Sequence, residues 1–254
     1  MVIMLAAVLV VYFAICALMF WTQRSLIYFP RAVPRSNAAS MTLTTADGTL
    51  VLVTIRPQTG PSALIYFGGN AEDVSQSLPV LARAFPTHAL YLMNYRGYGG
   101  SSGEPSETAL FSDALSLFDE VRAEHDEVTV VGRSLGSGVA VHLASRRPIV
   151  RLVLVTPYDS IQEIAASQFP YLPVRWLMRD KYESWRDAIK VTAPTLLIAA
   201  EHDEIIPRKS TDALLTHFRP GIASLRIVRS AMHNNISESG EYISYLEGRN
   251  TTTP

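Results

Sequence analysis

A chain of 254 residues, 48% hydrophobic and 18% charged, is long and apolar enough to bury one large core, which suits a single α/β domain. Its 22 Lys and Arg against 23 Asp and Glu leave a net charge of −1, with no basic surplus to neutralise phosphates, so no nucleic-acid partner is expected. Fifteen prolines and 14 glycines exclude collagen-like and disordered readings, and the lone Cys16 excludes an intrachain disulfide or a thiolate metal site.

From Met1 to Gln23 no side chain is charged, and about 20 apolar residues suffice for a helix to cross a bilayer core. Tyr12, Phe20 and Trp21, then Tyr28 and Phe29, put aromatic rings near the expected exit, where amphipathic rings favour the interface. The basic start and small-residue cleavage site of a signal peptide are missing, and apolar character all round argues for lipid rather than a protein core. Residues 1–23 are therefore expected to form an uncleaved single-pass membrane anchor, and residues 24–40, with Pro30 and Pro34, a linker. Arg24, Arg31 and Arg35 follow the span, which weighs toward a cytoplasmic domain.

The expected domain, 41–248, opens with strand-like runs at 41–45 and 50–56 around Ala46-Asp47-Gly48, a hairpin signal. Six more runs follow at 63–67, 89–94, 128–131, 152–155, 196–200 and 225–228. The later ones are mostly continuous and apolar, as in parallel strands buried on both faces. Helical patterns separate them at 106–124, 134–145, 208–218 and 236–246; the first sets Leu110, Ala114, Leu117, Phe118 and Val121 on one face. An opening hairpin and then alternating strands and helices predict an α/β fold with about eight strands in a mostly parallel sheet. Only about 40 residues separate the run ending at Val155 from the one starting at Leu196, enough for a small cap. Short helices are expected there at 161–167 and 173–179. Phe169, Tyr171, Leu172, Trp176, Leu177 and Met178 are dense in it. They either overhang a cleft as an apolar acyl wall, with Trp176 touching substrate, or pack on the sheet as core. Residues 249–254 read as a frayed tail.

Three loops carry chemistry. Gly132-Arg133-Ser134-Leu135-Gly136 starts where a strand ends and runs into a helix, the context in which two glycines permit a sharp turn that exposes a serine Oγ. Such a serine needs a base, and the base needs an acid, in the chain order Ser, Asp or Glu, His. Of six histidines only His233 follows the last strand run, so it is the candidate base. Glu201, Asp203 and Glu204 compete for the acid; position in the turn and the Asp-x-x-x-Pro ending favour Asp203. An oxyanion needs two N–H donors. Leu135, next after the serine, is one candidate, and Asn70 in Gly68-Gly69-Asn70-Ala71 is the other, with Gly69 letting the backbone approach substrate. Asn235-Ile236-Ser237 and Asn250-Thr251-Thr252 fit the glycosylation pattern, but a glycan at Asn235 would block His233. No cofactor or metal is expected.

These motifs together with Asn94-Tyr95-Arg96-Gly97-Tyr98-Gly99-Gly100-Ser101, Ile206-Pro207, His233-Asn234 and Gln23-Arg24-Ser25-Leu26-Ile27-Tyr28-Phe29-Pro30 resemble membrane-anchored serine hydrolases of the alpha/beta-hydrolase superfamily. The branch is one that includes serine-aminopeptidase-like hydrolases and protein depalmitoylases. The resemblance covers about residues 20 to 246. It implies an alpha/beta-hydrolase fold, with the turn at 94–99 structural and Tyr95 and Arg96 lining the base of the cleft at most. The branch usually carries His-Gly-Asn where this chain has Gly68-Gly69-Asn70, which leaves the side-chain anchoring of that loop open. The expected activity is hydrolysis of a small acyl ester or thioester through Ser134, His233 and Asp203 by way of an acyl-enzyme. The alternatives are an aminopeptidase-like activity and a non-catalytic membrane-tethered binding protein on the same scaffold.

Overall fold

Eight strands, β1 (Ser40–Thr44), β2 (Leu50–Arg56), β3 (Ser62–Phe67), β4 (Ala89–Met93), β5 (Glu127–Arg133), β6 (Arg151–Val155), β7 (Thr195–Ala200) and β8 (Ala223–Val228), form one sheet in a computed structural model of the chain. The structure describes residues 1–30 and 38–248. Residues 31–37 of the expected linker, with Arg31, Pro34 and Arg35, and the tail 249–254 with Asn250, lie outside the described residues. The strand order is β1-β2-β4-β3-β5-β6-β7-β8. Only β2 runs antiparallel to its neighbours, and from β4 onward every pairing is parallel.

Nine helices go with this sheet among the described residues: α1 (Val2–Ile27), α2 (Leu78–Ala84), α3 (Glu107–Glu124), α4 (Leu135–Ala144), α5 (Ile161–Gln168), α6 (Val174–Leu177), α7 (Ser184–Ala188), α8 (Arg208–His217) and α9 (Gly240–Leu246). Alternate residues of β3 point into two cores. Ala63, Ile65 and Phe67 join Leu110 and Leu117 of α3, Val139 of α4 and Leu214 of α8, while Leu64 and Tyr66 join Leu81 of α2 and Tyr242 and Leu246 of α9. Both faces are covered, which is why the central strands read as unbroken apolar runs. The chain passes from β3 to β4 on one side and then to β5 on the other. That reversal opens a crevice at the carboxyl ends of β3 and β5.

Four local expectations change. Helices α2 and α7, of 7 and 5 residues, are too short to show a period in sequence. The helix expected over 236–246 is a 3-10 turn followed by α9, with the Ser239 hydroxyl accepting from Glu241 N at the new start. The helix expected over 1–23 does not end at Gln23: α1 continues to Ile27. Residues 24–30 are not a free linker either. Arg24 pairs with the buried Asp180 at 2.8 Å, Tyr28 lies in the core with its hydroxyl 2.9 Å from that of Tyr182, and Phe29 N donates to Tyr98 Oη at 2.8 Å. The partners of these groups come from distant parts of the chain, so no local pattern announces them.

Candidate active site

Ser134 joins the end of β5 to α4 with φ 49° and ψ −118°, a backbone state that costs a non-glycine residue about 1–3 kcal/mol. The surroundings enforce it. A Cβ on Gly132 would lie 2.6 Å from Ala140 Cβ, and one on Gly136 would lie 2.6 Å from the Gly68 carbonyl oxygen. Both glycines are thus required by close approach. Ser134 N donates to the Val155 carbonyl, and Tyr158 Oη donates to the Leu135 carbonyl, so neighbouring strand and loop hold the turn from two sides.

His233 Nε2 lies 3.0 Å from Ser134 Oγ, and His233 Nδ1 lies 2.9 and 3.0 Å from the two carboxylate oxygens of Asp203. An ionised carboxylate only accepts, so Nδ1 carries the ring proton and Nε2 is left to accept from Ser134. The side chains of His233 and Asp203 are only 5% and 7% exposed, which strengthens the pair against competition from water. Asp203 Oδ1 also accepts from Ile205 N and Ile206 N at 3.0 and 2.7 Å. The two competing acids bind backbone instead: Glu204 accepts from His233 N and Glu201 from Ser230 N. Asn235, in the first glycosylation-like triplet, accepts from Met232 N through its side chain and so helps hold the His233 loop.

A cleft of about 1060 Å³ opens over Ser134, and Gly69, Asn70 and His233 line it. Leu135 begins α4, where a helix leaves its first N–H groups without intrahelical acceptors. Asn70 uses its side chain elsewhere, Oδ1 accepting from Phe29 N and Tyr98 Oη at 3.0 Å each. Its backbone amide is the group that the oxyanion reading requires. Gly69 lies so close to the serine that an added Cβ would stand 3.6 Å from Ser134 Cβ.

Two sequence-predicted contacts fall elsewhere. Tyr95 is buried behind the loop, where Oη donates to the Gly68 carbonyl at 2.8 Å; it positions the loop and does not line the cleft. Trp176 is 91% exposed and lines a separate cavity beside Lys209 and Ser210, so it forms neither core nor a wall over Ser134. The apolar wall comes instead from Leu26, Tyr28, Phe29 and Pro30, the segment just past α1.

Glu72 and Arg133 are parts of the site that sequence reasoning passed over. Glu72 accepts from Gly69 N at 2.6 Å, from Tyr66 Oη and Ser77 Oγ at 2.7 Å each, and from Arg133 Nη1 at 3.3 Å. It ties down the loop that Gly68 leaves without a histidine. Arg133 continues to the carbonyls of His233 and Asn234 at 3.3 and 3.4 Å. Burial lowers the pKa of its guanidinium, but the charge and hydrogen bond of Glu72 together with Tyr66 and Tyr242 outweigh it, and the net shift is upward. The only available signal was the position of Arg133 beside the serine; Glu72 had none. Among the described residues, Glu72 is the only carboxylate lining the cleft, and no group of three or more His, Cys, Asp or Glu is arranged to hold a metal ion.

Residues 60–226 match the alpha/beta hydrolase family. The chain belongs to that family. An uncharacterized protein of Mycobacterium tuberculosis, Rv2307c, is 37% identical over 215 residues, covering 77% of this chain and 75% of its own. Alpha/beta hydrolase domain-containing protein 17B of Xenopus laevis is 30% identical over 198 residues, covering 74% of this chain and 66% of its own. Among solved structures, the Pyrococcus furiosus esterase Pf2001 superposes with a TM-score of 0.71 at 14% identity, covering 87% of this chain and 96% of its own. The fold is thus that of the alpha/beta hydrolases, and its structural neighbours include esterases. The hydrolase sheet is preceded by α1, which is long and apolar enough to cross a membrane by length and composition, as anchors and signal sequences both are.

Proposed function

We propose that this chain is a serine hydrolase that cleaves carboxylic ester or thioester bonds and is held at a membrane by α1. The observation that carries the reading is the unbroken line from Asp203 through His233 to Ser134 Oγ, with links of 2.9 and 3.0 Å, at the strained strand-to-helix turn of an alpha/beta hydrolase. Ser134 Oγ attacks the substrate carbonyl while His233 Nε2 takes its proton. The oxyanion that forms is met by the N–H groups of Leu135 and Asn70, each such donor contributing about 3 kcal/mol to the transition state. Collapse expels the alcohol or thiol, protonated by His233, and leaves an acyl-Ser134. Water, activated by the same histidine, then attacks the acyl-enzyme and frees the acid. Asp203 holds the imidazole in the tautomer that both half-reactions need and stabilises the imidazolium. The oxygens of Glu72 are engaged by Gly69, Tyr66, Ser77 and Arg133. It is poorly placed to receive a free N-terminus, which favours esters over aminopeptidase substrates.

The test is active-site labelling by a serine-reactive fluorophosphonate, paired with turnover of a short p-nitrophenyl acyl ester. The parent protein should be labelled and active. Ser134→Ala should lose the label and about 10⁴-fold or more in kcat. Equal labelling and turnover in a folded Ser134→Ala protein would move the nucleophile elsewhere.

A further inference from the structure

Helix α1 has 26 residues, about 39 Å at 1.5 Å per residue. It does not stand clear of the domain along that length. Tyr12 Oη donates to the Tyr171 carbonyl at 3.1 Å, Gln23 Nε2 donates to the Leu177 carbonyl at 3.1 Å, and Gln23 Oε1 accepts from Arg179 N at 2.7 Å. Between these ties Cys16 is buried and Met19 is partly so. Tyr12, Cys16, Met19 and Gln23 recur at helical spacing and so form one stripe. Against this stripe the cap runs alongside α1 for about 16 Å. Residues 2–11 of α1, before Tyr12, make about 15 Å of helix, and the length tied to the cap, residues 12–23, makes the rest of what a hydrocarbon core of about 30 Å needs.

The surface of the cap suits that depth. Residues 164–174 carry no charge. Tyr171 is 89% and Trp176 91% exposed, and Phe169 is exposed as well. Trp176, next to Leu177 at the level of Gln23, falls near the interface that tryptophan favours, and Phe169 and Leu172 add apolar surface deeper along the cap. The charges flanking the segment are managed: Glu163 and Arg175 pair with each other at 2.6 Å, and the Arg179 guanidinium sits 5.8 Å over the Phe20 ring, near the level of Gln23. Backbone polar groups in a bilayer must find partners within the protein, and several here do. Phe169 N donates to Ala165 O, Leu172 N to Phe169 O and Val174 N to Leu172 O, and the Tyr171 carbonyl takes the Tyr12 hydroxyl.

We propose that the cap tip, residues 169–176, whose one charge at Arg175 is held by Glu163, is a second membrane-inserting element that enters the bilayer beside α1. The occupant of this exposed aromatic face is lipid, because the uncharged tip is tied along residues 12–23 of α1, the helix that is long and apolar enough to span a membrane, and so is carried beside it. The half-open apolar cavity of about 360 Å³ between α1 and the cap, lined by Met19, Leu26, Phe169 and Leu177 among others, then lies at bilayer depth. Leu26 lines both this cavity and the cleft over Ser134, so the two lie side by side. The proposal rests on reading α1 as a membrane helix.

The experiment reports depth residue by residue in the full-length chain, reconstituted in phosphatidylcholine vesicles. One variant carries Tyr171→Trp with Trp21, Trp176 and Trp185 changed to Phe; a second keeps only Trp21, and a third keeps only Trp176. Circular dichroism checks that each is folded. Lipids brominated on their acyl chains should quench Trp at 171 about two-fold and leave it inaccessible to aqueous iodide. Trp176 alone serves as the readout at the tip should Tyr171→Trp fail to fold. Quenching of Trp21 by brominated lipid with position 171 open to iodide would overturn the cap insertion and leave the anchor standing. Failure of brominated lipid to quench either position would overturn both. Shielding of position 171 from both quenchers, with a cross-linked dimer, would assign the face to a second copy of the chain and overturn the proposal.

Discussion

Three donors converge on Asp203, from Ile205 N, Ile206 N and His233 Nδ1, and the same carboxylate orients the imidazole on Ser134. Asp203→Asn would present an N–H to that ring and favour the wrong tautomer. Its kcat on a p-nitrophenyl ester should fall about 10⁴-fold, whereas Glu204→Gln, which keeps an acceptor for His233 N, should change it little. Equal damage in the two variants would transfer the orienting role. That Ser134, Asp203 and His233 would meet was legible because strand order restricts where each can sit. Substrate contacts were not, because a side chain facing a cleft and one facing solvent share the same local sequence. Phe29 lines the cleft and Trp176 does not. Phe29→Ala should therefore raise KM for butyryl and longer esters about ten-fold through lost apolar contact. Trp176→Ala should leave that acyl-length profile unchanged. Steady-state kinetics across an acyl series decide, and the reverse pattern would restore the cap as the acyl wall.

Among the elements, strands were read closely: the run expected at 50–56 is β2, and 63–67 lies within β3 (Ser62–Phe67). Buried parallel strands announce themselves because both faces must be apolar. Short α2 and α7 carry no such signature. The end of α1 shows the same limit. Its composition predicts a spanning helix, yet nothing local reveals that Tyr28 inserts beside Tyr182 in the core. Tyr28→Ala should destabilise the domain by about 3–5 kcal/mol. Tyr28→Phe, which loses only the hydroxyl contact, should cost about 1 kcal/mol. Deletion of residues 2–11, which precede the first tie to the cap at Tyr12, should leave the unfolding midpoint in detergent unchanged. A midpoint insensitive to Tyr28→Ala would mean that the segment is a detachable linker after all.

At the scale of the whole molecule, Asp187 joins α7 to α4 and to its own C-terminal turn, accepting from His142, Arg146 and Lys190 at 3.0 Å each. Burial raises its pKa, but these donors outweigh burial and hold the carboxyl well below the usual carboxylate range. A carboxyl depressed in the folded state contributes stability that is present above its unfolded value, about 4, and is lost as the pH falls toward the folded value. Asp187→Asn should thus lose about 1.5–3 kcal/mol at pH 7, and the gap to the parent should narrow below about pH 4. Urea unfolding at pH 7, 5 and 3 measures it, and a gap independent of pH would remove the carboxylate from the account. The sequence by itself determined the sheet, the apolar first helix and the ordered Ser134, Asp203 and His233, because periodicity and loop position are properties of neighbouring residues. Tertiary structure alone decided that Glu72 ties down the loop of Gly69 and Asn70, that Tyr95 supports it from behind, and that Leu26, Tyr28, Phe29 and Pro30 wall the cleft. It also decided that the cap rides on α1. Each of these depends on a close approach between distant segments, and such approaches are set by how the two cores pack rather than by any local pattern.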